Sequence, residues 1–322
     1  VRTLVTGATG MVGAALVRQL VAQGEAVRIL RRPTSSLELL GEAAHRVEHA
    51  VGDVTDPAGL LSAMAGVRRV YHVAASLGQG GKKTLRCVNV GGTAHVVDAA
   101  LRCGVERLVH TSSIAALGRT PNDSTIIDET TRWQDHRLNS AYAVSKHRAE
   151  MEIHRGIAEG LDGVMVNPAL IFGLARPGEN TRQILERLRA GKVRAIPVGG
   201  TSVVDAEDVA DGMIRAMERG RSGERYILAG EALTFRAMFE ILAATLGVPP
   251  PRRRLSPRLA LGIAVLAEGI AFVSGTSPRF SRSMARTTAH FYRYSGDKAV
   301  EELGCRFRPF RETAARLATM ME

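Results

Sequence analysis

Hydrophobic positions in the first half of the chain follow two alternating periods. Short runs rich in apolar and β-branched residues, at Thr3–Val5, Ala26–Leu30, Arg46–Val51, Arg69–Ala74, Arg107–Thr111 and Gly163–Asn167, read as buried strands. Between them, Met11–Gln23, Leu85–Cys103 and Asn139–Gly160 carry helical spacing, the first two closed by Gly24 and Gly104. Asp56-Pro57 has the form of a helix cap followed by proline in the first turn. This rhythm predicts an α/β fold: a doubly wound parallel sheet covered by helices on both faces.

After residue 172 the pattern becomes mainly helical. Helices are expected at 181–190, 208–219, 235–246, 257–273, 278–290, 297–303 and 310–321, with short strands near 193–197, 202–205 and 225–228. Residues 1–172 are therefore read as the sheet domain. Residues 173–322 are read as a smaller substrate-binding cap, with an interleaved boundary across which some segments return to the sheet. Residues 119–138 break the rhythm; a polar loop of this length, with Pro121, Asn122, Asp123, Asp128 and Glu129, is expected to be functional or flexible.

The 322 residues, 45% of them hydrophobic, suffice for one large domain or a domain with a small appendage. Cys87, Cys103 and Cys305 are too scattered for a disulfide framework or a zinc site, which suits a reduced, cytoplasmic setting. The net charge of +11 is carried almost wholly by arginine, since five of the 43 basic residues are lysine. Two readings stand: a base-composition bias, or an anionic partner such as a cofactor phosphate, an acidic substrate or a membrane surface. No basic run is interleaved with aromatics, which argues against nucleic acid. The first strand begins at Arg2, so no signal peptide is expected. The longest apolar stretch, Leu259–Val273, contains Glu268 and falls short of a membrane span. His45 and His49 are four apart at a predicted strand rather than on one helix face, and no metal site is expected.

Gly7, Gly10 and Gly13 lie between the first strand and the first helix, in Thr6-Gly-Ala-Thr-Gly-Met-Val-Gly13. A side chain there would block a pyrophosphate, and the helix start offers free N–H groups. The second strand ends in Leu30-Arg31-Arg32, with no carboxylate for ribose hydroxyls but two guanidiniums suited to a 2′-phosphate. NADP(H) is therefore preferred, with NAD(H) possible. Asp53 could accept from an adenine amino group or be an ordinary turn residue. Tyr142 and Lys146 are one helical turn apart, so both face the same way; a nearby ammonium would favour the phenolate. Ser113 follows the fifth strand at the edge where open α/β sheets bind ligands.

These residues resemble the extended short-chain dehydrogenase/reductase family, whose fold is a Rossmann-type sheet. Thr6–Gly13, Gly52-Asp53, His72-Val-Ala-Ala75, Asn89-Val90 with Gly92-Thr93, Thr111-Ser-Ser113, Tyr142-x-x-x-Lys146 and Asn167-Pro168 match its motifs in order. Leu30–Ser35 and Asn167–Gly173 are similar to the dihydroflavonol-reductase-like and 3β-hydroxysteroid-dehydrogenase-like branch, near the hopanoid-associated sugar epimerases. The chain departs from its relatives at Leu174, where proline is usual, and at Asp205, where histidine is usual. The resemblance implies Ser113, Tyr142 and Lys146 as catalytic residues, with Ser113 preferred over Ser112 on alignment alone. It implies cofactor contacts from Gly7, Thr9, Gly10, Met11, Val12, Gly13, Arg31, Arg32, Asp53, Val54, Ala74, Ala75, Tyr142, Lys146 and Pro168. Substrate contacts are implied from Ser76, Ser113, Ile114, Tyr142, Asn167 and Leu170, and a homodimer through the helices near 85–103 and 140–160.

Three functions follow as hypotheses. The first is an NADP(H)-dependent carbonyl reductase or alcohol dehydrogenase on a hydrophobic steroid-, flavonoid- or lipid-like substrate, with Tyr142 exchanging the proton. The second is a sugar or nucleotide-sugar epimerase or dehydratase that keeps its cofactor, with Arg176, Arg182, Arg194 and Arg236 available to a diphosphate. The third is a non-catalytic dinucleotide sensor. The arginines before Leu259–Val273 add a further alternative to a plain core helix there, an amphipathic lid at an anionic membrane surface.

Overall fold

Leu4, Val5, Ile29, Val70, Leu108, Val109, Val164 and Val166 are all completely buried, as strands covered on both faces require. In the computed structural model, residues 2–78, 80–118, 125–136, 139–176, 179–274 and 280–319 are described. The first half contains β1 (Arg2–Thr6), α1 (Met11–Ala22), β2 (Ala26–Arg31), β3 (Glu48–Val51), α2 (Pro57–Met64), β4 (Val67–His72), α3 (Gly81–Leu85), α4 (Gly92–Arg102), β5 (Arg107–Thr111), β6 (Ile126–Ile127), α5 (Ala141–Ala158), β7 (Gly163–Pro168) and β8 (Leu170–Phe172). The second half contains α6 (Asn180–Arg189), β9 (Ala195–Pro197), β10 (Gly200–Asp205), α7 (Ala206–Arg219), β11 (Arg225–Leu228), β12 (Ala232–Thr234), α8 (Phe235–Thr245), β13 (Arg253–Leu255), α9 (Pro257–Ser274), α10 (Arg282–Thr287), β14 (Phe291–Tyr294), α11 (Asp297–Leu303) and α12 (Phe310–Thr319).

The main sheet has seven parallel strands in the order β11-β7-β5-β4-β1-β2-β3. Strand order reverses between β1 and β4, which opens a crevice at the carboxyl ends of the strands. One core cluster joins the sheet to α1 and α7, and a second joins the opposite face to α2, α4 and α5. A smaller assembly of β8, β10, β12, β14 and β6 lies beside the sheet, with Phe172, Leu185, Leu242 and Phe310 in its own core.

Residues beyond 172 contribute to the main sheet. Strand β11 pairs with β7, and Tyr226, Ile227 and Leu228 are fully buried. Helix α7 packs against α1 through a face that includes Val209, Met213 and Met217. Asp205 caps α7 by accepting from the Glu207 N–H at 2.8 Å, and its carboxylate pairs with Arg316 of α12. The residue that departs from the family's histidine thus ties the last helix to the sheet domain.

Some elements differ from the sequence reading. The helix expected at 85–103 is broken by a π-helical turn at Arg86–Gly91, which frees the Asn89 side chain to reach a neighbouring loop. The expected helix at 278–290 is shorter in its described part and gives way to β14, whose aromatic residues fill the inner side beside β10. Short strands β8, β12 and β13 carry too few residues for a period to register. Part of the loop expected at 119–138 lies outside the described residues. The rest forms β6 and places the Glu129 carboxylate on the Ile227 N–H at 2.8 Å, satisfying a donor in edge strand β11.

Candidate active site

The turn after β1 gives each glycine a separate reason. Gly7 has φ +67°, and a Cβ on it would lie 2.5 Å from the Ala74 backbone nitrogen. A Cβ on Gly13 would lie 2.1 Å from the Gly7 carbonyl oxygen. Both glycines are demanded by the protein itself. Gly10 is not: its φ is −88°, and a Cβ there would meet nothing nearer than 3.5 Å. Gly10 caps α1, whose first turn has no side-chain cap and no acidic residue, so the Met11 and Val12 end of the helix is open to an anion. These residues fit a dinucleotide pyrophosphate.

Arg31 ends β2 with its Nε donating to His49 Nδ1 at 2.9 Å; His49 Nε2 lies 2.8 Å from the Ala44 carbonyl oxygen and donates to it. His49 thereby fixes one side of the guanidinium, a role that its spacing from His45 did not reveal. Arg32 is exposed. Asp53 forms a turn in which Oδ1 accepts from the Thr55 N–H and hydroxyl at 2.9 and 2.7 Å. Val54 is buried against Gly92, with Thr9, Ala74 and Ala75 on the neighbouring loops.

Ser140 caps α5 by accepting from the Ala143 N–H at 3.1 Å, which sets Tyr142 in the first turn. Ser113, whose Oγ accepts from the Ala115 N–H at 3.2 Å, lies beside the Tyr142 hydroxyl. Ser112 is buried and its hydroxyl has no partner among the described residues. Burial raises the Tyr142 pKa, and the Ser113 hydrogen bond pulls it back in part. Lys146 is 3% exposed and donates to the Thr111 carbonyl oxygen at 2.8 Å. Burial lowers the Lys146 pKa to about 8, and Glu150 opposes the fall.

Behind this pair lies a polar brace that the motifs did not announce. Asn167 is completely buried; its Nδ2 donates to the Ser113 carbonyl oxygen at 3.0 Å and to Glu150 Oε1 at 2.7 Å. Asn167, expected among the substrate contacts, lies behind Ser113, and its Oδ1 has no partner among the described residues. Glu150 is also completely buried, and its other oxygen faces Arg225 at 3.3 Å. Asn89 clamps Ser76 through both its N–H (2.7 Å) and carbonyl oxygen (3.0 Å), and donates to Ser145 Oγ at 2.9 Å. Glu150 follows Tyr142 and Lys146 at the same four-residue interval, the one sequence signal that could have flagged it.

His72 and His110 are buried on neighbouring strands, ring centroids 5.2 Å apart. Thr93 Oγ1 donates to the Asn89 carbonyl oxygen, so it accepts from His72 Nε2, while His72 Nδ1 accepts from Thr6 Oγ1 at 2.8 Å. Burial, with help from Lys146, lowers the His72 pKa to about 3 and that of His110 well below its usual value. The rim of the crevice is apolar in part: Leu77 is exposed on the loop after β4, Leu170 is exposed at the start of β8, and Ile114 is half-buried beside Ser113. Three of the arginines considered for a diphosphate are held by neighbouring carboxylates: Arg176 by Glu179, Arg182 by Glu186 and Arg236 by Glu240.

Fold and site define an NAD(P)-dependent oxidoreductase of the extended short-chain dehydrogenase/reductase type. Residues 3–229 match the NAD dependent epimerase/dehydratase family, and the chain belongs to it. It is 38% identical over 312 residues to sterol demethylase protein B of Methylococcus capsulatus, covering 94% of this chain and 92% of that protein. It is 29% identical over 311 residues to the 4-hydroxy-2-methyl-3-oxo-4-farnesyl-3,4-dihydroquinoline-1-oxide ketoreductase of Stigmatella aurantiaca, covering 94% and 91%. Among solved structures it is similar to gox2253, with TM-score 0.85, 36% identity and coverage of 99% of this chain and 98% of that one.

Proposed function

We propose that this enzyme is an NADP(H)-dependent carbonyl reductase acting on a hydrophobic ketone, or in reverse on the matching secondary alcohol. The observation that carries this reading is the meeting of Tyr142, set in the first turn of α5 by the Ser140 cap, with Ser113 at the carboxyl end of β5, its carbonyl held by Asn167, and Lys146 anchored on Thr111. Burial keeps the Tyr142 phenol protonated near neutral pH, the form needed to donate a proton to a carbonyl oxygen. Ser113 orients that oxygen. Lys146, anchored on Thr111, supplies a fixed positive charge and donors for the nicotinamide ribose. When bound, the nicotinamide supplies the hydride.

Arg31 and Arg32 are assigned to the 2′-phosphate, with His49 holding Arg31 in place. The pyrophosphate is assigned to the N–H groups of Gly10 to Gly13, and the adenine amino group to the free oxygen of Asp53. Ala74, Ala75 and Pro168 would line the rest of the cofactor path. Ser76, Ile114 and Leu170 would border the substrate, and α4 with α5 would form a homodimer face. The family match also supports epimerase or dehydratase chemistry; of the four arginines considered for a nucleotide diphosphate, Arg176, Arg182 and Arg236 are engaged by carboxylates, and Arg194 is exposed without an ion pair among the described residues. The test is cofactor consumption: a reductase oxidises NADPH stoichiometrically with ketone, whereas an epimerase returns its cofactor unchanged.

A further inference from the structure

Among its described side chains, helix α9 buries three alanines and exposes several large aliphatic residues. Ala260, Ala264 and Ala271 face inward, where Ala260 and Ala264 pack with Ala285 of α10. Leu259, Ile263, Leu266 and Ile270 face outward with 57%, 43%, 68% and 70% of their surface exposed. Their spacing of four, three and four residues puts them in one stripe along the helix. Packing in water selects the opposite arrangement, so a continuous aliphatic ridge of this kind marks a surface that meets another apolar phase.

The polar surroundings say which phase. Within 257–274 the ionisable residues are Arg258 and Glu268. Glu268 is neutralised by Arg282, whose Nε lies 2.6 Å from one carboxylate oxygen and whose N–H bonds the other at 2.7 Å. Arg252, Arg253, Arg254 and Arg258 are exposed at the start of the helix, and among the described residues none pairs with a carboxylate. Elsewhere many arginines are paired: Arg155 alone contacts Asp98, Glu152 and Glu159. Unpaired cations beside a bare aliphatic ridge complement an anionic lipid surface. No helix among the described residues is long and apolar enough to cross a membrane, so α9 would lie along the interface.

We propose that the α9 ridge, with the arginines at 252–254 and 258, is a docking surface for an anionic lipid bilayer. It does not depend on the assigned reaction, although an apolar ketone would itself partition into such a surface. The test is co-sedimentation of the full chain with phosphatidylcholine vesicles with and without phosphatidylglycerol. The expected result is binding that requires phosphatidylglycerol and weakens as salt rises. Leu266→Ser with Ile270→Ser should reduce that binding about tenfold or more, because both side chains lose apolar burial in lipid. The circular dichroism spectrum, thermal midpoint and turnover of a water-soluble ketone should not change. Arg253→Ser with Arg254→Ser should weaken the binding and reduce its salt dependence while keeping the fold, since Arg252 and Arg258 remain. No binding to anionic vesicles at low salt would overturn the proposal, as would binding that both double variants retain in full. If instead the chain is an oligomer that Leu266→Ser disperses, with no vesicle binding, the ridge is a contact between copies and the lipid proposal fails.

Discussion

Glu150 accepts a hydrogen bond from Asn167 at 2.7 Å, with both side chains completely buried. A carboxylate this far from water needs partners, and it has Asn167 on one oxygen and Arg225 near the other. Asn167 in turn holds the Ser113 carbonyl oxygen, while Glu150 sits one turn beyond Lys146. The pair therefore links the backbone under Ser113 to the helix that carries Tyr142 and Lys146.

Glu150→Gln keeps an acceptor for Asn167 and removes only the charge. Glu150 raises the Lys146 pKa against the fall caused by burial, so its neutralisation lets that pKa drop below about 8. The form carrying the Lys146 charge is lost as pH rises through its pKa. The alkaline limb of the kcat/KM profile is therefore expected to move to lower pH in the variant. A limb unmoved from the parent would show that Glu150 does not act on Lys146.

The glycine loop gives a contrast between two similar substitutions. Gly13→Ala forces a Cβ against the Gly7 carbonyl and is expected to lower the thermal midpoint sharply. Gly10→Ala meets no protein atom closer than 3.5 Å, so stability should hold while cofactor affinity falls about tenfold or more. Thermal melts and cofactor titration by quenching of Trp133 fluorescence separate the two. Equal loss of stability in both would contradict the reading of Gly10 as a ligand-facing position.

Arg31→Ser removes a guanidinium held by His49 at 2.9 Å. KM for NADPH is expected to rise about tenfold or more, the usual scale for a lost charge-assisted contact to phosphate, with KM for NADH little changed. A parallel rise for both cofactors would mean that Arg31 serves the adenosine and not the 2′-phosphate.

His72 and His110 set an acid limit on stability. Unfolded histidine binds a proton near pH 6.5, whereas folded His72 does so only near pH 3. Between those values the unfolded chain holds more protons, so stability falls as pH falls, by about 1.4 kcal/mol per pH unit for each such group. His110→Leu should flatten that slope in urea titrations at pH 5 to 7. It should cost little at pH 7, because neither His110 nitrogen has a partner among the described residues. An unchanged slope would show that His110 does not resist protonation.

The sheet domain was legible because its strands are apolar runs and its helices end at glycines. Strand β5 at Arg107–Thr111 and helix α11 at Asp297–Leu303 fall at the residues their patterns mark. The glycine loop and Tyr142-x-x-x-Lys146 were legible because their chemistry needs fixed local spacing. What stayed hidden depends on partners distant in sequence. Glu150 reads as one more polar helix position until β7 brings Asn167 beside it. His49 reads as a strand residue until β2 pairs with β3. Strand β11 was expected near 225–228, with some segments past 172 returning to the sheet, but its partner β7 was not legible, because pairing is decided by the third dimension rather than by composition.

The central claim is that Tyr142 and Ser113 serve hydride exchange at a hydrophobic carbonyl with NADPH. The most direct measurement is the absorbance at 340 nm of purified protein with NADPH and a panel of hydrophobic ketones, against Tyr142→Phe. Loss of NADPH matched by alcohol formation, abolished in Tyr142→Phe, is the predicted result. Turnover that persists in Tyr142→Phe, or a tightly held nicotinamide that no ketone consumes, would contradict it.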